Sequence, residues 1–116
     1  MAFDGIWTSE ILGLFGWETT GIVVLDDGRA IDGGNHHYSS GCYQATGNKV
    51  KISLTVEYHG TPRTIFGSAD KKLFVEINGK LRGDIIVGSA YRLDKSDQKI
   101  TIKLTRRADL PPRVET

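Results

Sequence analysis

Three side chains that can bind metals or perform thiol chemistry lie close together in this sequence: His36, His37 and Cys42. A catalytic zinc site requires three protein ligands and a structural zinc site four. Adjacent residues of a β-strand point to opposite faces, so His36 and His37 reach one ion only where a turn bends the chain between them. The remaining histidine, His59, lies in a different predicted turn. The segment is therefore predicted to be a turn that leads into a strand, with a metal or thiol site at His36, His37 and Cys42 as a remote alternative.

Other residue types used in catalysis are dispersed along the chain. Cys42 lacks the cationic neighbours or helix N-terminus that favour a reactive thiolate. Glu10, Glu57 and Glu76 fall in separate predicted strands, and no glycine-rich phosphate-binding loop follows a strand and opens a helix. We therefore predict that the protein is not an enzyme and that it has no catalytic residues, no metal and no cofactor.

Alternation of apolar and polar residues identifies the elements that position these side chains. In residues 50–58 every even position is apolar and every odd position is polar, and Ile100, Ile102 and Leu104 repeat the pattern. This period of two is typical of a strand with one buried face. Residues 94–98 are predicted to form at most a short helix or turn. Turn signals rich in glycine, asparagine and aspartate separate the apolar stretches: Asp26-Asp27-Gly28, Gly33-Gly34-Asn35, Gly47-Asn48, Gly60-Thr61-Pro62, Asn78-Gly79 and Asp94-Lys95-Ser96-Asp97.

Seven or eight sequential antiparallel strands have two edges, which closure into a barrel removes. We predict an all-β domain over residues 1–110, a single antiparallel up-and-down eight-stranded barrel, and a two-sheet β-sandwich as the alternative. Asn78-Gly79 is predicted to be a hairpin turn. Residues 111–116 form a predicted C-terminal tail, because its prolines cannot donate to a strand ladder. A barrel of this size can hold one small ligand, and its predicted cavity wall consists of Ile52, Leu54, Val56, Leu73, Val75 and Ile102.

Composition narrows the class of protein further. The chain has 116 residues, one cysteine and a net charge of +1, with cations and anions interspersed. This charge balance favours neither nucleic acid nor an anionic membrane as a partner. One cysteine cannot form an internal disulfide, and the first residues lack the pattern of a secretory signal. We therefore expect a cytoplasmic protein.

An apolar stretch interrupts the predicted loop between the first two strands. Residues 11–17 contain Leu14, Phe15 and Trp17, where polar residues are usual. Such residues either fold over the barrel mouth as a plug or meet another molecule, since loops lie on protein surfaces. Residues 22–25 and 85–87 are apolar at successive positions, so both faces of those strands are expected to be covered. The predicted partner-binding residues are Trp7, Leu14, Phe15, Trp17, His37 and Tyr38.

Several short motifs occur in an order that resembles the GrlR-like family, the negative regulators of type III secretion and their bacterial relatives. The resemblance covers nearly the whole chain. It lies in Asp4-Gly5-Ile6-Trp7, Gly21-Ile22-Val23-Val24-Leu25 with Asp27-Gly28, Gly33-Gly34-Asn35, Tyr38, Gly41-Cys42-Tyr43 and Leu104-Thr105-Arg106.

The resemblance implies a lipocalin-like barrel that forms a homodimer and regulates by binding a transcriptional activator. The family's namesake carries an acidic run where residues 46–51 of this chain are basic, so that contact is not carried over. The expectation is a non-enzymatic bacterial binding or regulatory protein that acts by protein–protein interaction and sequesters a transcriptional regulator. The alternative expectation is a carrier of a small apolar ligand inside the barrel.

Overall fold

Eight antiparallel strands close into an up-and-down barrel in a computed structural model of the chain. The structure describes residues 3–60 and 70–114, apart from the side chains of residues 95–97. Each strand pairs with the next, and β8 pairs with β1 to close the barrel. The strands are β1 (Gly5–Gly13), β2 (Gly16–Asp26), β3 (Arg29–Gly33), β4 (His37–Thr46), β5 (Lys49–Tyr58), β6 (Lys72–Arg82), β7 (Ile85–Arg92) and β8 (Lys95–Ala108). The predicted barrel is confirmed and the sandwich is not observed.

The apolar residues of β5 and β8 face the barrel interior, as the alternation in the sequence predicts. Ile52, Leu54, Ile102 and Leu104 are buried, whereas the intervening positions are exposed or half-buried. Inward-facing apolar side chains from all eight strands form one core, because successive side chains of a strand lie on opposite faces of the sheet.

Tight turns fix the register of the hairpins. Asp27 and Gly28 both have positive φ, 50° and 83°, as a type I′ turn requires. This turn joins Asp26 to its partner Arg29. The connection from β3 to β4 also follows the predicted glycine pair, since β3 ends at Gly33.

The prediction of a hairpin turn at Asn78-Gly79 is wrong. Both residues lie inside β6, where Gly79 pairs with Gly88 of β7. A Cβ on Gly79 would approach Ile86 Cγ2 to 2.6 Å, so this glycine permits a close approach of two strands rather than a reversal of the chain. The actual turn contains Gly83, whose φ is 60°.

Two further turn predictions have different outcomes. Residues 94–98 form no helix, because the turn falls at Leu93 and Asp94 and β8 begins at Lys95. Residues 61 and 62 of the predicted Gly60-Thr61-Pro62 turn lie outside the described residues.

The N-terminal segment fills one end of the barrel, which we call the closed end. Phe3 and Trp7 are buried, and the Trp7 indole N–H donates to the Phe3 carbonyl oxygen at 3.1 Å. The Tyr43 hydroxyl donates to the Asp4 carboxylate, which also accepts the Asp27 backbone N–H at 3.0 Å. Apolar packing and matched hydrogen bonds therefore coincide at this end.

The outer faces of β2 and β7 are only partly covered within the single chain. Ile22, Ile85 and Val87 remain about half exposed there, so the expectation that both faces are covered stays a prediction for these side chains. Val24 is half-buried and lies in a cleft that the tail residues Pro111 and Pro112 also line. The C-terminal tail thus lies against only part of this surface.

Candidate functional site

The end of the β1–β2 hairpin, residues 12–19, extends beyond both neighbouring strands, and we call it the projecting hairpin. Pairing of β1 with β8 ends at Ile11, and pairing of β2 with β3 begins only at Ile22. Leu14 and Phe15 form the turn and are 97% and 99% exposed. Of the two alternatives for this stretch, a plug over the barrel mouth is not observed for these two residues, since a plug would bury them.

Trp17 and Leu12 extend the apolar surface of the projecting hairpin. They pair directly across β1 and β2, and both remain 40% exposed or more. Lys103 Nζ lies 4.3 Å from the centroid of the Trp17 ring and 3.7 Å from Glu10 Oε1. The cation–π contact holds Trp17 against the barrel, whereas the turn has no comparable support among the described side chains.

Along one edge, the backbone of the projecting hairpin has no neighbouring strand among the described residues. Residues 16–19 of β2 pair with β1 but with no other described strand. Exposed strand edges carry free N–H and C=O groups that can pair with another chain, and proteins commonly protect them with lysine or proline. The edge segment Gly16-Trp17-Glu18-Thr19 contains neither residue type. Exposed apolar side chains and a strand edge without a second described neighbour thus occur on the same element.

The other predicted partner-binding residues lie in different environments. Trp7 is 0% exposed, so it offers no surface to a partner and that part of the prediction is wrong. His37 faces the barrel interior, whereas Tyr38 faces outward and stacks on His59 at 6.3 Å between ring centroids. A hydrogen bond to Glu57 raises the pKa of Tyr38.

A second candidate site lies inside the barrel, at the end opposite the closed end. Five polar side chains face inward here, and we call them the interior polar cluster: Ser9, Thr20, Asp32, His37 and Ser39. Ser39 Oγ donates to Asp32 Oδ2 at 2.7 Å, and His37 Nε2 lies 3.4 Å from the same oxygen. The Ser9 and Thr20 hydroxyl oxygens are 2.5 Å apart. Strand register brings these residues together from four different strands.

A small cavity adjoins the interior polar cluster. Its volume is about 80 Å³, and its apolar wall includes five of the six predicted cavity residues: Leu54, Val56, Leu73, Val75 and Ile102. The sixth, Ile52, is fully buried in the core. Cavities of about 150 Å³ bind benzene, and one water occupies about 30 Å³ in the liquid. The observed space therefore fits a compact molecule or a few waters, not a cargo of lipid size.

The arrangement of Ser39, Asp32 and His37 differs from that of an activated nucleophile. In a serine triad the hydroxyl bonds to the imidazole, and the carboxylate orients the imidazole from its other side. Here the Ser39 hydroxyl donates directly to Asp32, and His37 approaches the same carboxylate oxygen. The carboxylate is the centre of this cluster, which suits recognition of a positive or hydrogen-donating group.

The segment that first suggested metal chemistry does not assemble a metal site. Cys42 is exposed and lies on the outer face of β4, whereas His37 faces inward. The backbone carbonyl of His36 accepts the N–H of His59, but the described part of the chain contains no group of three or more metal-ligating side chains.

Sequence reasoning missed Asp32 and Ser39, although a signal was present. Asp32 lies two residues after Ala30, and Ser39 lies two residues after His37. Residues two apart in a strand lie on the same face of the sheet, so each pair shares a face. The short β3 has too few apolar residues for alternation to reveal which face is inward. Only pairing of Asp32 with Ser39 across β3 and β4 places both in one site.

Comparisons with known proteins assign no function to either candidate site, so both are interpreted from their chemistry. No helix capable of spanning a membrane occurs in the described portion of the chain. No protein-family model matches the chain, and a search of curated proteins found no match either.

Proposed function

We propose that the protein is a non-enzymatic binding module that associates through the projecting hairpin, first of all with a second copy of itself. The nearly complete exposure of Leu14 and Phe15, at the end of a strand edge that pairs with no second described strand, carries this proposal. Association with a partner that covers these two apolar side chains is favourable, because burial of apolar surface lowers the free energy by roughly 25 cal/mol per Å².

A second copy suits this surface because the chain supplies both sides of the contact. Antiparallel pairing of two β2 edges creates a two-fold interface, in which the same patch of each copy meets itself. If the axis passes between Glu18 and Thr19, each Glu18 faces a threonine rather than another glutamate. The same register brings the Leu14–Phe15 turn to the end of the partner's β3, beside the exposed side chains of Ile22 and Ile31.

The dimer supports a role in protein binding rather than in transport of a large ligand. The cavity volume of about 80 Å³ leaves no space for lipid-sized cargo, while the apolar surface outside the barrel is extensive. Sequestration of a transcriptional regulator, which the family resemblance implies, belongs to the same proposal, with the dimer as the species that binds.

Sedimentation velocity over a dilution series tests the dimer directly. The wild-type chain is expected to sediment as a dimer that dissociates on dilution, and the double variant Leu14→Ser, Phe15→Ser is expected to remain monomeric with an unchanged circular dichroism spectrum. Phe74→Ser is the matched control, because Phe74 is a half-exposed apolar side chain elsewhere on the barrel. A wild-type monomer at high concentration, or a double variant that still dimerises, would reject the proposal.

A further inference from the structure

Asp32 is incompletely supplied with hydrogen-bond donors. Ser39 donates to Oδ2 at 2.7 Å, but the His37 Nε2 distance of 3.4 Å exceeds that of an ordinary N–H to oxygen bond. No hydrogen bond from the described residues reaches Oδ1. Since an ionised carboxylate offers about four acceptor positions on its two oxygens, Asp32 retains capacity to accept from a bound molecule.

Burial makes that capacity energetically important. The side chains of Asp32 and His37 are each only 13% exposed, and the adjoining wall contains Val23 and Val56. A carboxylate removed from water is stable only when hydrogen bonds or a cation replace the lost hydration. One short hydrogen bond from Ser39 replaces only a part of it.

The buried guanidinium of Arg92, near this end of the barrel, is engaged with other carboxylates. Arg92 lies 2.8 Å from Asp70 and 2.9 Å from Asp94. The titratable side chains among the described residues that line the cavity are Asp32, His37 and Tyr58. Asp32 is the one carboxylate in this described lining, which contains neither lysine nor arginine.

Two rings complete the polar end of the cavity. The His37 and Tyr58 ring centroids lie 5.8 Å apart, and both residues line the same space as Asp32. Aromatic faces attract cations through the ring quadrupole. A positive group bound to Asp32 would thus meet a carboxylate, the aromatic rings and, behind them, an aliphatic wall.

We infer that the cavity beside Asp32, His37 and Tyr58 is a binding site for a small organic ammonium ion. The ammonium N–H groups donate to the Asp32 carboxylate, and a short branched hydrocarbon body lies against Val23, Val56 and Leu54. The volume of about 80 Å³ restricts the ligand to about three to five non-hydrogen atoms, judged against the larger cavity that accommodates benzene. This site is separate from the projecting hairpin, so it goes beyond the proposed dimer.

Titration of the ¹⁵N-labelled full chain with three small probes of similar size tests this inference. Isopropylammonium carries the proposed charge, isopropanol replaces the ammonium by a neutral hydroxyl, and acetate reverses the charge. Isopropylammonium is expected to cause saturable amide shifts in β3 and β4, with a dissociation constant in the millimolar range and on the order of ten-fold below that of isopropanol. Acetate is expected to cause none.

Variants locate the binding at the carboxylate. Asp32→Asn is expected to weaken isopropylammonium binding about ten-fold or more, whereas the matched charge change Asp109→Asn, at an aspartate with an 88% exposed side chain, leaves it unchanged. Val56→Phe fills the cavity without touching the charge and is expected to abolish the shifts, which keeps the test available if Asp32→Asn does not fold.

Two results would overturn the inference. Equal affinities for isopropanol and isopropylammonium would show that Asp32 does not recognise the positive charge of the ligand. The absence of saturable shifts with any probe would show that the cavity holds only water. Neither result bears on the dimer, because the monomeric hairpin variant retains the same cavity.

Discussion

The two ends of the barrel differ in the side chains that fill their interior. At the closed end, Phe3 and Trp7 fill the interior, and the hydroxyl of Tyr43 has a carboxylate partner. At the opposite end, inward positions carry the interior polar cluster, and a small cavity remains. The closed end is therefore built for stability, whereas the cavity end and the projecting hairpin leave groups available to other molecules.

Removal of the largest side chain from the closed end should have the largest effect. Trp7 is fully buried, so Trp7→Ala is expected to lower the free energy of unfolding by about 3–5 kcal/mol through lost packing and an internal void. Urea denaturation followed by circular dichroism measures this loss. A cost below about 1 kcal/mol would show that the closed end does not depend on this plug.

Two alanine substitutions compare the packing of the ends directly. Ala30 and Ala90 are both buried, but only Ala90 lines the cavity. Ala30→Val is expected to cost about 1–3 kcal/mol by overpacking, while Ala90→Val fills space and is expected to stabilise the protein by about 0.5–1 kcal/mol. Thermal and urea unfolding of both variants check the difference, and equal costs would remove the contrast between the two ends.

The hydrogen bond between Tyr43 and Asp4 should make the closed end sensitive to high pH. Burial, together with the hydrogen bond to Asp4, raises the pKa of Tyr43 from 10.0 to about 12. The folded state therefore favours the neutral phenol, and this contribution is fully present below pH 10 and is lost as the pH rises towards 12. After allowance for solvent screening, we expect a loss of about 1–2 kcal/mol.

Urea unfolding across this pH range compares the wild-type chain with Tyr43→Phe. The variant is expected to lose less stability between pH 9 and about 11.5, whereas the control Tyr91→Phe leaves the Tyr43 contribution in place. An identical pH dependence for wild-type and Tyr43→Phe chains would argue against the hydrogen bond.

The same hydrogen bonds should make the closed end sensitive to low pH. Burial raises the pKa of Asp4, but the hydrogen bonds from Tyr43 and Asp27 have the larger effect, so the pKa of Asp4 lies below 3.8. The stability that these hydrogen bonds contribute is therefore lost as the pH falls below 3.8.

The smallest effect on stability is expected at the projecting hairpin. Leu14→Ser changes a side chain that is 97% exposed, so the free energy of unfolding of the monomer should change by no more than about 0.5 kcal/mol. Its effect should instead appear in the dimer dissociation constant. Unfolding measured at concentrations below dimer dissociation separates the two quantities, and a large loss of monomer stability would place Leu14 in the core instead.

The sequence predicted the fold better than the sites because alternation is a local signal. Residues 50–58 show their buried face without reference to any other strand, and the structure places them in β5 as expected. The Asn78-Gly79 signal failed because the close approach of Gly79 to β7 involves a residue of another strand. The same limitation hid Asp32, whose partners Ser39 and His37 follow a turn.

By itself, the sequence determined an all-β chain, the inward faces of its long strands and the apolar character of residues 11–17, because period-two alternation and composition are properties of the chain alone. The tertiary structure decided that Trp7 is internal, that Leu14 and Phe15 reach solvent and that Asp32 meets Ser39 and His37. Each of these outcomes depends on where one strand ends relative to its neighbour, and that register is set by turn geometry together with the choice of side chains that the closed barrel buries.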